Sequence, residues 1–329
     1  MFGTSLRSDQ YPLVASDGAS SMTLSPLPNA RQRLAQLSAH LVVAVIALVV
    51  IGGATRVMEA GLACPDWPLC YGSLLPGRQM NVQVFLEWFH RLDAFIVGVA
   101  MLVMAVTSVL LRRQLPRWLP WLAVALVVLV ALQGGLGALT VLQLLPTGIV
   151  MAHLAMALTL VALLSGLTQR LLNPLADVAP FWWRFLCGAS LLAVFGQCLF
   201  GARMATAWAA QRCLSGGDAC RWVSVHRFTA MPAAATVLLF VVVALLAGGW
   251  ARRQWPLLLG VVALMGLQVA LGVFTLRLGL AQPAVTVVHQ LVAALLVALL
   301  AALMARSPNS SPEPCPVVLD DLSLEPSHG

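Results

Sequence analysis

LQGGLGALTV, residues 132–141, returns as LQVALGVFTL at residues 267–276, identical at five of ten positions. Other residues return with nearly the same period. His90-Arg91 recurs 136 residues later as His226-Arg227, and His153 recurs 136 residues later as His289. Gly53-Ala54-Thr55-Arg56 precedes the cysteine pair Cys64/Cys70, and Gly201-Ala202-Arg203 precedes the pair Cys213/Cys220. Self-similarity at a fixed offset is the mark of a duplicated unit. The chain therefore reads as two units in tandem.

Composition says what kind of unit this is. Of 329 residues 60% are hydrophobic and only 9% charged, and the mean hydropathy is +0.91, far outside the range of soluble domains. Apolar stretches long enough to span about 30 Å of hydrocarbon run over 36–55, 85–111, 118–140, 148–169, 182–204, 223–249, 255–276 and 284–305. The expected fold is all-α: a polytopic membrane protein with eight transmembrane helices arranged as two tandem four-helix bundles. An even number of helices per unit gives both the same orientation, related by an axis along the membrane normal.

Residues 1–34 are rich in Ser and Pro and lack the apolar core of a signal peptide, so they read as a disordered tail. Residues 306–329 read as a second tail, and the two bundles are expected over 35–175 and 176–305. All nineteen basic residues are arginine. Arg31, Arg33, Arg112, Arg113, Arg117, Arg170, Arg184, Arg252, Arg253 and Arg306 flank the termini and the even-to-odd loops, which the positive-inside rule assigns to the cytoplasm. The basic charge thus reflects topology, and nucleic acid is not an expected partner. The loops 56–84 and 205–222 then face outward, where disulfides are permitted. Each holds a cysteine pair able to close a small ring, so Cys64–Cys70 and Cys213–Cys220 are expected to be disulfides, with free thiols as the alternative. Cys187, Cys198 and Cys315 carry no expected role.

Four of the six histidines fall within even-numbered spans: His90, His153, His226 and His289. Each lies three to six residues inside the outer end of an even-numbered span, and the spacing within each unit is 63 residues. Helices 2 and 4 run parallel, as do 6 and 8, so each bundle aims two imidazoles at one depth. A single membrane histidine is usually a satisfied core residue; four at matched depth and spacing are not explained that way. Two imidazoles from facing helices suit haem iron, whereas a structural zinc wants four close ligands, usually with thiolates. Two haems per chain are expected. Arg91 and Arg227 follow a histidine near a helix N-terminus, where the helix dipole disfavours a cation. They therefore need a neighbouring anion, which haem propionates would supply with bidentate geometry; Arg56 and Arg203 are further candidates. Gly52-Gly53, the GGLG of 134–137, Gly266 and Gly272 read as small residues at helix contacts.

GGATRVMEAGLACPDWPLCYG (52–72), EWFHR (87–91), QGGLGALTV (133–141) and the pair His226 and His289 together resemble the haem A synthase family, over about residues 36–305. The resemblance implies an enzyme of the bacterial cytoplasmic membrane, with both termini cytoplasmic, that oxidises the C8 methyl group of haem O to a formyl group. The route it implies is successive hydroxylation through a diol that loses water. It implies haem O on His90 and His153 in the N-terminal half and a haem b cofactor on His226 and His289 in the C-terminal half. Haem O synthase and an electron-transfer partner are its candidate partners beside membrane lipid, and it leaves room for a homo-oligomer. Glu87 lies three residues before His90, on one helical face, while the equivalent position of the second half is Val223. That asymmetry points to Glu87 in proton transfer or charge stabilisation at the substrate haem. The competing readings are a di-haem electron carrier exchanging electrons with quinol, which the histidine pattern alone permits equally, and a haem transporter, which should show broken helices.

Overall fold

Residues 29–173, 177–206, 219–278 and 282–308 are described by the computed structural model. They form eight long helices: α1 (Ala30–Val57), α2 (Val82–Leu110), α3 (Leu119–Leu142), α4 (Thr147–Leu172), α5 (Phe181–Thr206), α6 (Ala219–Leu246), α7 (Trp255–Arg277) and α8 (Pro283–Ala305). One further helical turn, Gly249–Arg252, links α6 to α7. The long helices have 23 to 29 residues, or ~35–44 Å at 1.5 Å per residue, and all eight are apolar enough to cross a membrane. The chain is a multi-pass membrane protein.

Several helices start earlier than their apolar runs. Asn29 caps α1 with a capping box, its Oδ1 accepting from Gln32 N at 2.9 Å while Gln32 Oε1 accepts from Asn29 N at 3.1 Å. The helix therefore takes in residues 30–34, read above as tail. Asn81 Oδ1 likewise accepts from Val84 N at 3.0 Å and starts α2 three residues before its apolar stretch. Such caps satisfy the first N–H groups of a helix whatever the hydropathy of its first turn. Prolines in the first turn begin α3, α7 and α8, where the missing N–H costs nothing.

Helices α1–α4 close a ring of neighbours (α1 on α2, α2 on α3, α3 on α4, α4 on α1), and α5–α8 close an equivalent ring. Three contacts join the rings: α4 with α8, α1 with α8, and α4 with α5. Exchanging each helix for its counterpart four places on maps this pattern onto itself, as two-fold related repeats require. A single hydrophobic cluster runs from Leu34 in α1 to Leu303 in α8, so the bundles share one core. At the face carrying the chain termini, Arg31 donates to the Leu171 carbonyl, Arg170 to Ser307 Oγ at 3.2 Å, and Arg306 to Gln169 Oε1 at 3.3 Å. At the opposite face lies the loop 58–81, closed by the Cys64–Cys70 disulfide with Cα atoms 4.8 Å apart. Cys213 lies outside the described residues, as does the Cys220 side chain, and so does Cys315.

Candidate functional site

The four histidines stand six to eight residues inside the even-numbered helices α2, α4, α6 and α8, all at their loop-face ends. That is ~9–12 Å along the helix, deeper than the apolar runs implied, because each of these helices begins before its apolar run. His90 and His153 lie within electrostatic reach of each other, and so do His226 and His289. Each half thus brings its two histidines into one neighbourhood.

Opposite each imidazole stands a glycine of the preceding helix. A Cβ on Gly52 of α1 would lie 3.2 Å from His90 Cε1, and on Gly137 of α3 3.3 Å from His153 Cε1. The same holds for Gly201 of α5 against His226 at 3.1 Å, and for Gly272 of α7 against His289 at 3.2 Å. Each ring thus rests in a seat that a side chain would fill. Gly134, Gly135 and Gly266 face no such neighbour, so the two glycine-rich segments serve the histidines through one residue each. Gly52, not Gly53, is the counterpart of Gly201. Gly53 instead faces Gln290 of α8 across the joint between the rings.

One turn before three of these glycines stands a glutamine facing the same ring. Gln133 Nε2 is 3.4 Å from His153 Nε2, and Gln268 Nε2 is 3.4 Å from His289 Nε2. Gln197 Nε2 is 3.1 Å from His226 Nδ1 and donates to the His226 carbonyl at 2.6 Å; its Oε1 accepts from Thr229 Oγ1 at 2.7 Å. The corresponding residue in α1 is Leu48, so His90 has no glutamine. The repeated Gln-x-x-x-Gly is a signal the sequence contains and hydropathy reading passes over.

Glu87 is buried, 5% exposed, and both its oxygens are engaged. One accepts from Cys64 N at 2.8 Å and the other pairs with Arg91. Arg91 also donates to the carbonyls of Asp66 and Leu69, each at 2.6 Å, and of Cys64 at 3.3 Å. Four of the five guanidinium N–H donors are thus committed within the chain, and the anion that Arg91 was expected to need is Glu87. Asp66 in turn accepts from Tyr71 N at 2.6 Å and Gly72 N at 2.7 Å. The Gly72 N–H above all holds its carboxyl below the usual carboxylate range. Cys64 and Cys70 are buried beneath this loop. Arg56 Nη2 donates to the Ala205 carbonyl at 3.2 Å, Arg203 lies 5.1 Å over the Trp222 ring, and Arg227 is exposed.

The site suits a group held by two imidazoles. One buried nitrogen of each of His90, His153 and His289 is without a hydrogen-bond partner, as are Gln133 Oε1 and Gln268 Oε1, and buried polar atoms left so are costly unless something meets them. The residues present fit haem.

Residues 35–301 match the family described as cytochrome oxidase assembly protein, COX15-CtaA. A heme A synthase of Sphingopyxis alaskensis is 30% identical over 337 residues, covering 84% of this chain and 91% of that protein. A heme A synthase of Shewanella oneidensis is 30% identical over 191 residues, 50% of this chain and 55% of the relative; in this and similar matches the chain spans about half the relative's length. A 72-residue stretch, 22% of this chain, is 39% identical to part of a protoheme IX farnesyltransferase of Haloarcula marismortui, covering 15% of it.

Proposed function

This chain belongs to the COX15-CtaA family of cytochrome oxidase assembly proteins, and on that premise we propose that it is a haem A synthase, oxidising the C8 methyl group of haem O to a formyl group. The observation that carries the reading is the quartet of histidines, paired within each half and each seated on a glycine of the preceding helix. The N-terminal half, 35–175, takes haem O on His90 and His153; the C-terminal half, 176–305, keeps haem b on His226 and His289. Bound haem supplies the redox chemistry, and the chain binds, orients and shields it.

The glycines let the rings approach the neighbouring helix, and Gln133, Gln197 and Gln268 stand against three of the rings and limit how they turn. Glu87, fixed between Cys64 N and Arg91, serves better as a stationary negative charge beside the substrate half than as a proton carrier, since both oxygens are occupied. Val223 in the other half supports assigning chemistry to one side only. Arg227, Arg56 and Arg203 remain the candidates for propionates, because Arg91 is committed to the loop. The arginines at the terminal face support a bacterial cytoplasmic (inner) membrane setting with both termini in the cytoplasm and the disulfide loop outside. Haem O synthase and an electron-transfer protein are the proposed partners; the resemblance to part of a farnesyltransferase supports the former.

The test is the pigment. Protein produced together with a source of haem O and then extracted should yield haem O and haem A. Haem B as the sole extracted pigment would overturn the reading and favour a di-haem electron carrier.

A further inference from the structure

Two carboxylic acids lie inside the described membrane helices, Glu87 and Asp93, three residues to either side of His90 in α2. Neither has an acidic counterpart: 136 positions on stand Val223 and Thr229. Glu87 is accounted for by Arg91 and Cys64 N. Asp93 is half-buried, and among the described residues no hydrogen bond or ion pair reaches it. An ionisable side chain in a membrane helix is costly unless a partner meets it, and by default it marks a functional site.

The second half shows what this position faces. Thr229, the counterpart of Asp93, donates to Gln197 Oε1, and Gln197 lies against His226. The residue one turn beyond the histidine therefore borders the histidine's site. In the first half the glutamine is replaced by Leu48, which offers Asp93 nothing polar. The same corner thus holds a closed Thr–Gln–His chain in one half and an unmet carboxyl group in the other.

We propose that Asp93 is a specificity-determining residue of the N-terminal site, its carboxyl group accepting a hydrogen bond from the hydroxyl of the porphyrin substrate. This rests on the assignment of haem O to that half. Haem O carries a hydroxyethylfarnesyl group where haem B carries a vinyl group, and that hydroxyl is its one neutral O–H donor. The propionates are anions, which a carboxylate would repel. Asp93 also lies about one turn farther than His90 from the loop face, where Arg56 and Arg203 stand at the ends of α1 and α5. It is therefore on the side of the substituents opposite the propionates. A site built to bond a hydroxyl rejects an analogue lacking it, because its own polar group is then left unmet.

The experiment loads full-length purified protein with haem O or haem B in competition and measures which occupies the N-terminal site, with His90→Ala defining the signal of that site. The low-spin haem b signal of the C-terminal half reports folding. Asp93→Leu should lower the preference for haem O over haem B about tenfold, the scale of one hydrogen bond in an apolar site, and leave the C-terminal signal unchanged. Asp93→Asn, whose amide oxygen accepts the same bond, should keep most of the preference. Asp93→Ala replaces the leucine variant, with the same expected loss, should that variant lose the C-terminal signal. An unchanged preference in the leucine or alanine variant, or an asparagine variant as impaired as they are, overturns the role of Asp93 alone. Wild-type protein with no preference for haem O at the His90 site overturns the assignment of the halves on which the role rests.

Discussion

Glu87 is the residue at which two demands meet: it anchors Cys64 of the disulfide loop and it pairs with Arg91 one residue beyond the proposed ligand His90. Glu87→Gln keeps an oxygen for Cys64 N–H but removes the charge. We expect haem b to stay bound while haem A yield falls about 100-fold, the lower scale of positioned acid–base and charge effects; a normal yield would leave Glu87 only its loop-anchoring part. His226→Ala and His289→Ala should each abolish the low-spin absorbance of the C-terminal haem, and persistence of that spectrum in both would refute the ligand assignment. Asp66 makes a separate prediction by pH. Its folded carboxyl titrates below the ordinary range, so the stabilisation it gives the loop is complete above the unfolded value and is lost as pH falls through the lower, folded one. Amide exchange at Tyr71 and Gly72 should accelerate in that acid window, and Asp66→Asn should remove the dependence. The histidines were legible in the sequence because a repeat displayed them twice. The Glu87–Arg91–Cys64 network was not, because its partners are loop carbonyls whose positions only the folded 58–81 segment defines.

Among the elements, the odd-numbered helices turn out to be seats and the even-numbered ones carriers of the four histidines. Eight spans could be read from hydropathy because lipid exposure rewards long apolar runs. Their starts could not, since Asn29 and Asn81 begin helices in polar sequence. The glycines were read as general helix contacts, yet only Gly52, Gly137, Gly201 and Gly272 meet a histidine; composition cannot tell which face of a helix a glycine occupies. This difference is testable within one motif. Gly137→Ala and Gly272→Ala place a methyl group 3.2–3.3 Å from an imidazole carbon, closer than ordinary contact, so each should shift the low-spin spectrum of its own half. Gly134→Ala and Gly266→Ala meet nothing within 4 Å and should be spectrally silent, with a gain in helix stability of roughly 0.5–1 kcal/mol. Equal spectral effects in both sets would mean that the seats do not exist as described.

At the scale of the whole molecule the two halves are less separable than their tandem sequence suggests, because α4 and α8 pack together and one hydrophobic cluster crosses the joint. A repeat reveals that two units are alike, but not how much surface they share. The joint has a polar point of contact near the level of the histidines. Gln290, adjacent to His289, reaches α1 at Gly53, adjacent to the seat of His90; a Cβ on Gly53 would fall 1.6 Å from Gln290 Oε1. Gly53→Ala therefore forces the Gln290 amide to move at a point that adjoins both sites. We expect this single substitution to perturb the haem signals of both halves together and to destabilise the protein by about 1–3 kcal/mol, the usual cost of an overpacked contact. Gln290→Ala removes the obstacle, so the double variant Gly53→Ala/Gln290→Ala should be more stable than the sum of the two single effects predicts. Contacting residues couple in this way by about 0.5–3 kcal/mol, whereas distant ones add. The check is a double-mutant cycle read by thermal loss of each half's haem absorbance. Additive effects, or a disturbance confined to one half, would show that the joint at Gly53 transmits nothing between the two sites.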